Sequence, residues 1–252
     1  MAKNIHSQAH KLLRFAKHCS KALLYLVFPP ICLHCGDPIE EKSLIFCCDC
    51  LGRLEPIDPL ERCPYCFSAD FYLEKKVCPE CFRCTPLLNR IAAAFDYIGP
   101  AADLVKEMKY GNRPYLAKGA AAYMAAQFYR LDWPTPDYII PVPLPLTRWI
   151  QRGYNQSHLL AESLSKFLNR PLLNGLHRIC GDFSQAGLSR EQRMALSPSS
   201  FRFTKKVNLE DKCLLLVDDV MTTGSTLRCC AEILLEECPK SIYGLTVCRA
   251  IK

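Results

Sequence analysis

The sequence predicts an α/β domain on a parallel sheet flanked by helices, preceded by a small cysteine-rich module. Three observations carry this. Apolar runs without polar alternation recur through residues 91–252, as in strands buried on both faces. Amphipathic helical segments fall between those runs, which favours parallel strands joined by crossovers. Ten of the seventeen cysteines crowd between Cys32 and Cys84, a density that marks a separate module.

Taken in order, residues 1–30 hold five Lys or Arg and no acids. Lys11, Arg14, Lys17 and Lys21 alternate with Leu12, Leu13, Phe15, Leu23, Leu24 and Phe28, which predicts a basic amphipathic segment. Such a helix packs on its own domain, or lies on anionic lipid or nucleic acid. The run Leu23–Phe28 is too short for a signal peptide and no small-residue cleavage site follows it. No stretch of about 18 uncharged apolar residues exists, so no transmembrane segment is expected.

Residues 31–90 contain four Cys-x-x-Cys pairs: Cys32/Cys35, Cys47/Cys50, Cys63/Cys66 and Cys78/Cys81. Two such pairs make one closed tetrahedral thiolate site, so the eight residues are candidate ligands for one or two structural Zn²⁺. Neighbouring pairs and alternate pairs are equally compatible with the spacing. Disulfides would need an oxidising compartment, and Cys78, Cys81 and Cys84 would also suit an iron–sulfur cluster. A module of about 60 residues with few large apolar side chains needs a metal to be stable.

In residues 91–252 the expected strands are Ile91–Ile98, Tyr138–Val142, Lys212–Val217 and Ile242–Cys248. Helices are expected at Ala101–Met108, Leu116–Tyr129, Ser157–Leu168 and Ser225–Glu237, the last stopped by Pro239. The chemistry concentrates at two strand ends. After Leu214–Val217 come Asp218 and Asp219, then Thr222, Thr223, Gly224, Ser225 and Thr226 at the start of a helix. Ligands bind at the carboxyl ends of parallel strands. A hydroxyl-rich turn feeding a helix N-terminus suits a phosphate monoester, and the acids suit ribose hydroxyls, directly or through Mg²⁺. The alternative is a plain turn followed by a helix cap. The loop lacks the Gly-Lys-Ser/Thr ending of a Walker A site and any Gly-x-Gly-x-x-Gly fingerprint.

The second strand end runs from Tyr138 through Pro141, Pro143 and Pro145 to Arg148 and Arg152. The prolines predict a rigid bend of the kind that can include a cis X-Pro bond. Two guanidinium groups there suit pyrophosphate, which they grip bidentately; otherwise the loop is merely solvated.

The acid pair and its loop resemble the signature of the type I phosphoribosyltransferases, which bind 5-phosphoribosyl-1-pyrophosphate (PRPP). Pro141-Val-Pro-Leu144 followed by Arg152-Gly-Tyr-Asn-Gln156 resembles the ComF family more specifically. Its members are phosphoribosyltransferase-like proteins with an amino-terminal cysteine module, many of them linked to competence for DNA uptake. Tyr97-Ile-Gly99, Lys109-Tyr110, Gln185, Leu188-Ser189 and Arg193 also match the family's pattern. An Asn that usually follows that arginine is replaced here by Ser197 or its neighbours.

The resemblance implies a type I phosphoribosyltransferase fold, with Asp218 and Asp219 as catalytic acids on the ribose hydroxyls. It implies PRPP binding by Thr222–Thr226, Arg148, Arg152, Arg193 and Lys109, with Mg²⁺. The segment Gly181–Ser200 reads as a lid in which Arg190 and Arg193 close over the pyrophosphate, or as a solvated basic loop. Three function classes follow: a phosphoribosyltransferase acting on an acceptor the sequence does not name, a non-catalytic PRPP-dependent sensor, and a DNA-uptake component holding single-stranded DNA or meeting an uptake helicase or channel. The expected location is the cytoplasm, with membrane association only through a partner. No helix-turn-helix, aromatic-rich sheet signature or dense basic stripe points to sequence-reading DNA recognition.

Overall fold

The computed structural model describes residues 30–39, 45–71, 77–83, 86–179, 197–204 and 207–251. The basic segment 1–29, Cys84, and most of the expected lid, with Gln185, Leu188, Ser189, Arg190 and Arg193, lie outside them. The chain forms two compact units, residues 1–54 and 55–252.

In the first unit the described residues form a knuckle. Ile31 and Pro38 make an antiparallel bridge, and Gly36, at φ 78°, closes the turn between them. Helix α1, Cys48–Gly52, follows.

The second unit holds a four-stranded parallel sheet in the order β1-β6-β5-β2. Its strands are β1 Arg90–Asp96, β2 Tyr138–Pro141, β5 Cys213–Met221 and β6 Ser241–Arg249. A short antiparallel ribbon joins β3 Leu176–Arg178 to β4 Phe201–Phe203. The helices are α2 Pro79–Arg83, α3 Gly99–Tyr110, α4 Leu116–Arg130, α5 Leu146–Arg152, α6 Gln156–Leu168 and α7 Ser225–Leu235. Helix α4 buries Leu116, Ala120, Met124 and Phe128, a small-residue face that lets it lie close to α6 and the sheet. Helix α7 buries Leu227, Cys230, Ala231 and Leu234 in a core shared with Ile140, Leu214, Leu216 and Phe201.

Strand β5 explains where a site can open. Its run Cys213–Val217 is wholly buried, as a central parallel strand requires. The sequence placed the strand's end at Val217; the strand instead continues through both acids to Met221. Its ladder with β6 persists to Met221↔Arg249, whereas β2 stops pairing at Pro141↔Val217. The last bond on that side runs from the Val142 N–H to the Val217 carbonyl at 2.9 Å, after which the Pro143–Pro145 segment leaves for α5. From Asp218 onward one edge of β5 is therefore free.

The proline-rich segment also differs from expectation. No cis peptide bond occurs among the described residues. After Pro145 the chain forms α5, and Gly153, at φ 77°, caps it in the left-handed region that glycine adopts without strain.

The segment before β1 binds that strand's outer edge. The N–H of Ile57 donates to the Ala94 carbonyl at 2.9 Å, and the N–H of Ile91 to the Tyr65 carbonyl at 2.8 Å. Residues of the second cysteine group thus share hydrogen bonds with the sheet. No helix among the described residues is long and apolar enough to cross a membrane.

Candidate functional site

The acids are held by side chains from two helices and by a backbone N–H of β5 itself. Asp218 Oδ1 accepts from Ser157 Oγ at 2.7 Å and from the Asp219 N–H at 2.9 Å. Asp219 is buried and pairs with Lys109 Nζ, at the end of α3, at 2.7 Å. Desolvation, and then the neighbouring Asp219 charge, push the Asp218 carboxyl up to about 7. At neutral pH this group is therefore poised between acid and carboxylate.

The sign of the consequence follows. A carboxyl raised above its unfolded value keeps its proton longer in the folded state, so its contribution to stability falls as pH rises from about 4 through about 7. We expect the wild type to lose melting temperature relative to Asp218→Asn across that window. Parallel melting curves from pH 4 to 8 would contradict the shift.

Downstream, Gly224 at φ 78° forms the N-cap of α7. A Cβ there would meet Met221 Cε at 3.0 Å, so glycine serves both backbone and packing. Thr223 Oγ1 and Ser225 Oγ lie 2.8 Å apart. The loop's first carbonyls are gripped from below: buried Arg249 donates through Nη1 to the Thr222 carbonyl, and to that of Met221 at 3.4 Å.

The Arg152–Gln156 block has a structural job that its composition did not reveal. Tyr154 Oη and Gln156 Nε2 both donate to the Met108 carbonyl, at 2.9 and 3.2 Å. Asn155 donates to the Val142 carbonyl at 2.9 Å and caps α6 through the Ser157 N–H at 3.0 Å. These bonds tie α3's end to the proline segment, and so position Lys109. Arg152 stacks on the Tyr110 ring at 4.9 Å and donates to Gln156 Oε1 at 3.1 Å.

Lys109, Arg148, Arg152, Asp218, Asp219 and Thr226 line one polar cleft of about 140 Å³. Arg178, from β3, and Ser157 also line it; sequence reasoning missed both. Neither had a local signal, since a three-residue strand shows no period and the Ser157 partner is 61 positions away. Thr223, Gly224 and Ser225 line a neighbouring cavity of about 520 Å³, together with Leu88, Ile91 and Arg249. Thr222 lines neither and is exposed. Arg193 lies outside the described residues.

The cysteine pairs resolve into two tetrads, Cys32/Cys35/Cys47/Cys50 and Cys63/Cys66/Cys78/Cys81, with sulfurs within 4.8 Å of one another in each. Neighbouring pairs, not alternate ones, therefore share a site. The Cys35–Cys47 and Cys66–Cys78 sulfurs are 3.6 and 3.5 Å apart. That is far beyond a disulfide bond and close to the edge of about 3.8 Å that four sulfurs about 2.3 Å from zinc would make. The two tetrads are copies: the Cys47 N–H bonds Cys32 Sγ at 3.3 Å and the Cys78 N–H bonds Cys63 Sγ at 3.4 Å. Gly36 and Phe67 occupy matching turns at positive φ. The Cys63 thiol is lowered to about 4, first by its hydrogen bond with Cys66 and then, against burial, by backbone N–H groups. Each tetrad can hold a zinc ion.

Comparison with known proteins supplies the remaining observation. No family profile matches the chain. Competence protein F of Haemophilus influenzae is 30% identical over 211 residues, covering 81% of this chain and 90% of that protein. The DNA utilization protein YhgH of Escherichia coli K12 is 26% identical over 231 residues, 90% of this chain and 100% of that one. Competence protein ComFC of Bacillus subtilis is 27% identical over 198 residues, 76% and 78% of the two chains. Among solved structures, a purine phosphoribosyltransferase from Pyrococcus horikoshii aligns with 52% of this chain and 80% of its own at 19% identity and a TM-score of 0.36. With a relative at 30% identity spanning nearly its whole length, and with the acid-pair loop, the Arg152–Gln156 block and paired cysteines in place, the chain belongs to the ComF family of competence proteins.

Proposed function

We propose that this protein binds PRPP with Mg²⁺ and transfers its phosphoribosyl group to an acceptor, in a role connected with DNA uptake. The observation that carries the reading is the convergence of Asp218 and Asp219 with Lys109, Arg148 and Arg152 around one polar cleft. Adjacent carboxylates are the hard oxygen donors that Mg²⁺ takes, and Asp218 and Asp219 would hold it against the ribose. Such an ion would supply positive charge to offset that of the pyrophosphate leaving group.

The chain's own groups do the rest. The loop amides and hydroxyls of Thr223 to Thr226 receive the 5′-phosphate at the N-terminus of α7. Arg148 and Arg152 take the pyrophosphate, and Lys109 exchanges Asp219 for a phosphate oxygen. A nitrogen of the acceptor attacks C1′ as the C1′–O bond breaks, pyrophosphate leaves with the electron pair, and the nitrogen loses its proton. Positively charged groups at the leaving end stabilise charge that grows only in the transition state. The acid-lined cleft is too small for an acceptor as well, and the 520 Å³ cavity beside the phosphate loop has the room. The names of the competence and DNA utilization relatives support the uptake role.

A pyrophosphate-release screen over nucleobases and amines, with PRPP and Mg²⁺, tests transfer. PRPP affinity with no release on any acceptor would instead favour a sensor. One variant separates a binding loop from a solvated one. Arg152→Ala should lose about tenfold or more in affinity for PRPP and little for ribose 5-phosphate, which has no pyrophosphate. Equal losses by calorimetry would give Arg152 a purely structural role.

A further inference from the structure

The second tetrad and the phosphate loop line the same cavity, to which Cys66, Cys81, Thr223, Gly224, Ser225 and Arg249 all contribute. Contacts also run between them through the sheet. Arg62, next to Cys63, pairs with Asp96 at 2.7 Å through Nη2 and Oδ2. Asp96 ends β1 and is in register with Arg249 at the end of β6, and Arg249 grips the Met221 and Thr222 carbonyls.

Asp96 Oδ1 and Arg249 Nε are buried without hydrogen-bond partners. Register partners in a parallel ladder share a sheet face, so Asp96 and Arg249 stand on neighbouring strands on one face, without a direct ion pair. The Arg62 contact fixes Asp96, and Arg62 is fixed in turn by its knuckle. The knuckle is pinned to β1 by the Ile91 N–H bond to the Tyr65 carbonyl and by buried Phe67, but its own regular structure is short: α2 is five residues long, and Phe67 sits at φ 60°, in the left-handed region that a non-glycine residue adopts at a cost. Metal on the four thiolates is what would keep it in place.

We propose that metal at Cys63, Cys66, Cys78 and Cys81 orders the phosphate loop through Arg62, Asp96 and Arg249, with Arg249 as the residue that positions the loop. Metal occupancy and phosphate-ligand affinity are then linked in both directions. The affinity arm of this proposal rests on the PRPP reading above; the loop-order arm does not.

Hydrogen exchange on the full-length, zinc-loaded protein tests it, following residues 220–227 with residues 214–217 of β5 as internal reference. In Arg249→Met and in Arg62→Met, exchange across 220–227 should quicken about tenfold while the reference is unchanged. Arg249→Lys, which keeps a donor, should restore part of the protection. Arg62→Met should retain full metal content, so its effect cannot be metal loss. Cys66→Ser should lose one metal ion per chain and quicken the loop likewise; if it also loses the reference, Arg62→Met decides. PRPP affinity should fall about tenfold in the same variants. Wild-type loop exchange in Arg62→Met overturns the coupling, and wild-type loop exchange in Arg249→Met overturns the positioning role. Quickened exchange in a protein whose wild type binds no PRPP would leave the coupling standing and remove the PRPP reading alone.

Discussion

Replacing Asp218 and Asp219 together by Asn should weaken binding of PRPP with Mg²⁺ by at least about a hundredfold. Each acid offers the ribose and its metal a charged acceptor, and such hydrogen bonds are worth roughly 1.5–3 kcal/mol apiece. The fold should survive. Burial raises the Asp218 carboxyl well above its ordinary value, so the folded site favours a neutral group there, which Asn mimics. Asp219→Asn weakens the partly buried pair with Lys109, whose Nζ is 2.7 Å from the carboxylate, but the Asn side-chain oxygen keeps an acceptor for the ammonium and limits the cost. Calorimetric titration beside thermal melting separates the two effects. Unchanged affinity in the double variant would remove both acids from the site.

Cys63→Ser should halve the bound zinc, from two ions per chain to one, and lower the melting temperature more than any cleft substitution. Structural zinc contributes folding free energy directly, on the order of 10 kcal/mol in small isolated sites, and Cys63 is a buried ligand whose Sγ also accepts the Cys78 N–H. The loss should spread to the outer edge of β1, because Tyr65 and Ile57 hydrogen-bond to that strand. Metal analysis with a melting curve checks this. Iron with visible absorbance in the wild type, or two zinc ions retained in the variant, would contradict it.

The acid pair, its loop and the four cysteine pairs were legible because each is a local pattern: an unbroken apolar strand, a hydroxyl-rich turn, a fixed two-residue gap. Parts that depend on distant chain were not. The extension of β5 past Val217 is decided by β6, whose ladder runs on after β2 has ended. Helix α5 was hidden by the prolines that precede it, although Pro145 in fact serves as its N-cap. Pairing of the cysteines was undetermined because the spacing suits two arrangements, and only the fold brings Cys35 against Cys47 and Cys66 against Cys78. Arg249 carried no signal at all: one arginine at the end of an apolar strand acquires meaning only when β5 and its loop lie beside it.

The central claim, that the cleft between β5 and α5 is a PRPP site, is tested most directly by calorimetric titration of the full chain with PRPP, with and without Mg²⁺, at pH 6 and pH 8. The account predicts saturable one-to-one binding that requires Mg²⁺ and tightens from pH 6 to pH 8, with proton release, as Asp218 gives up its proton to meet the metal-linked ribose. No binding under any of these conditions, or binding indifferent to Mg²⁺ and pH, would contradict it.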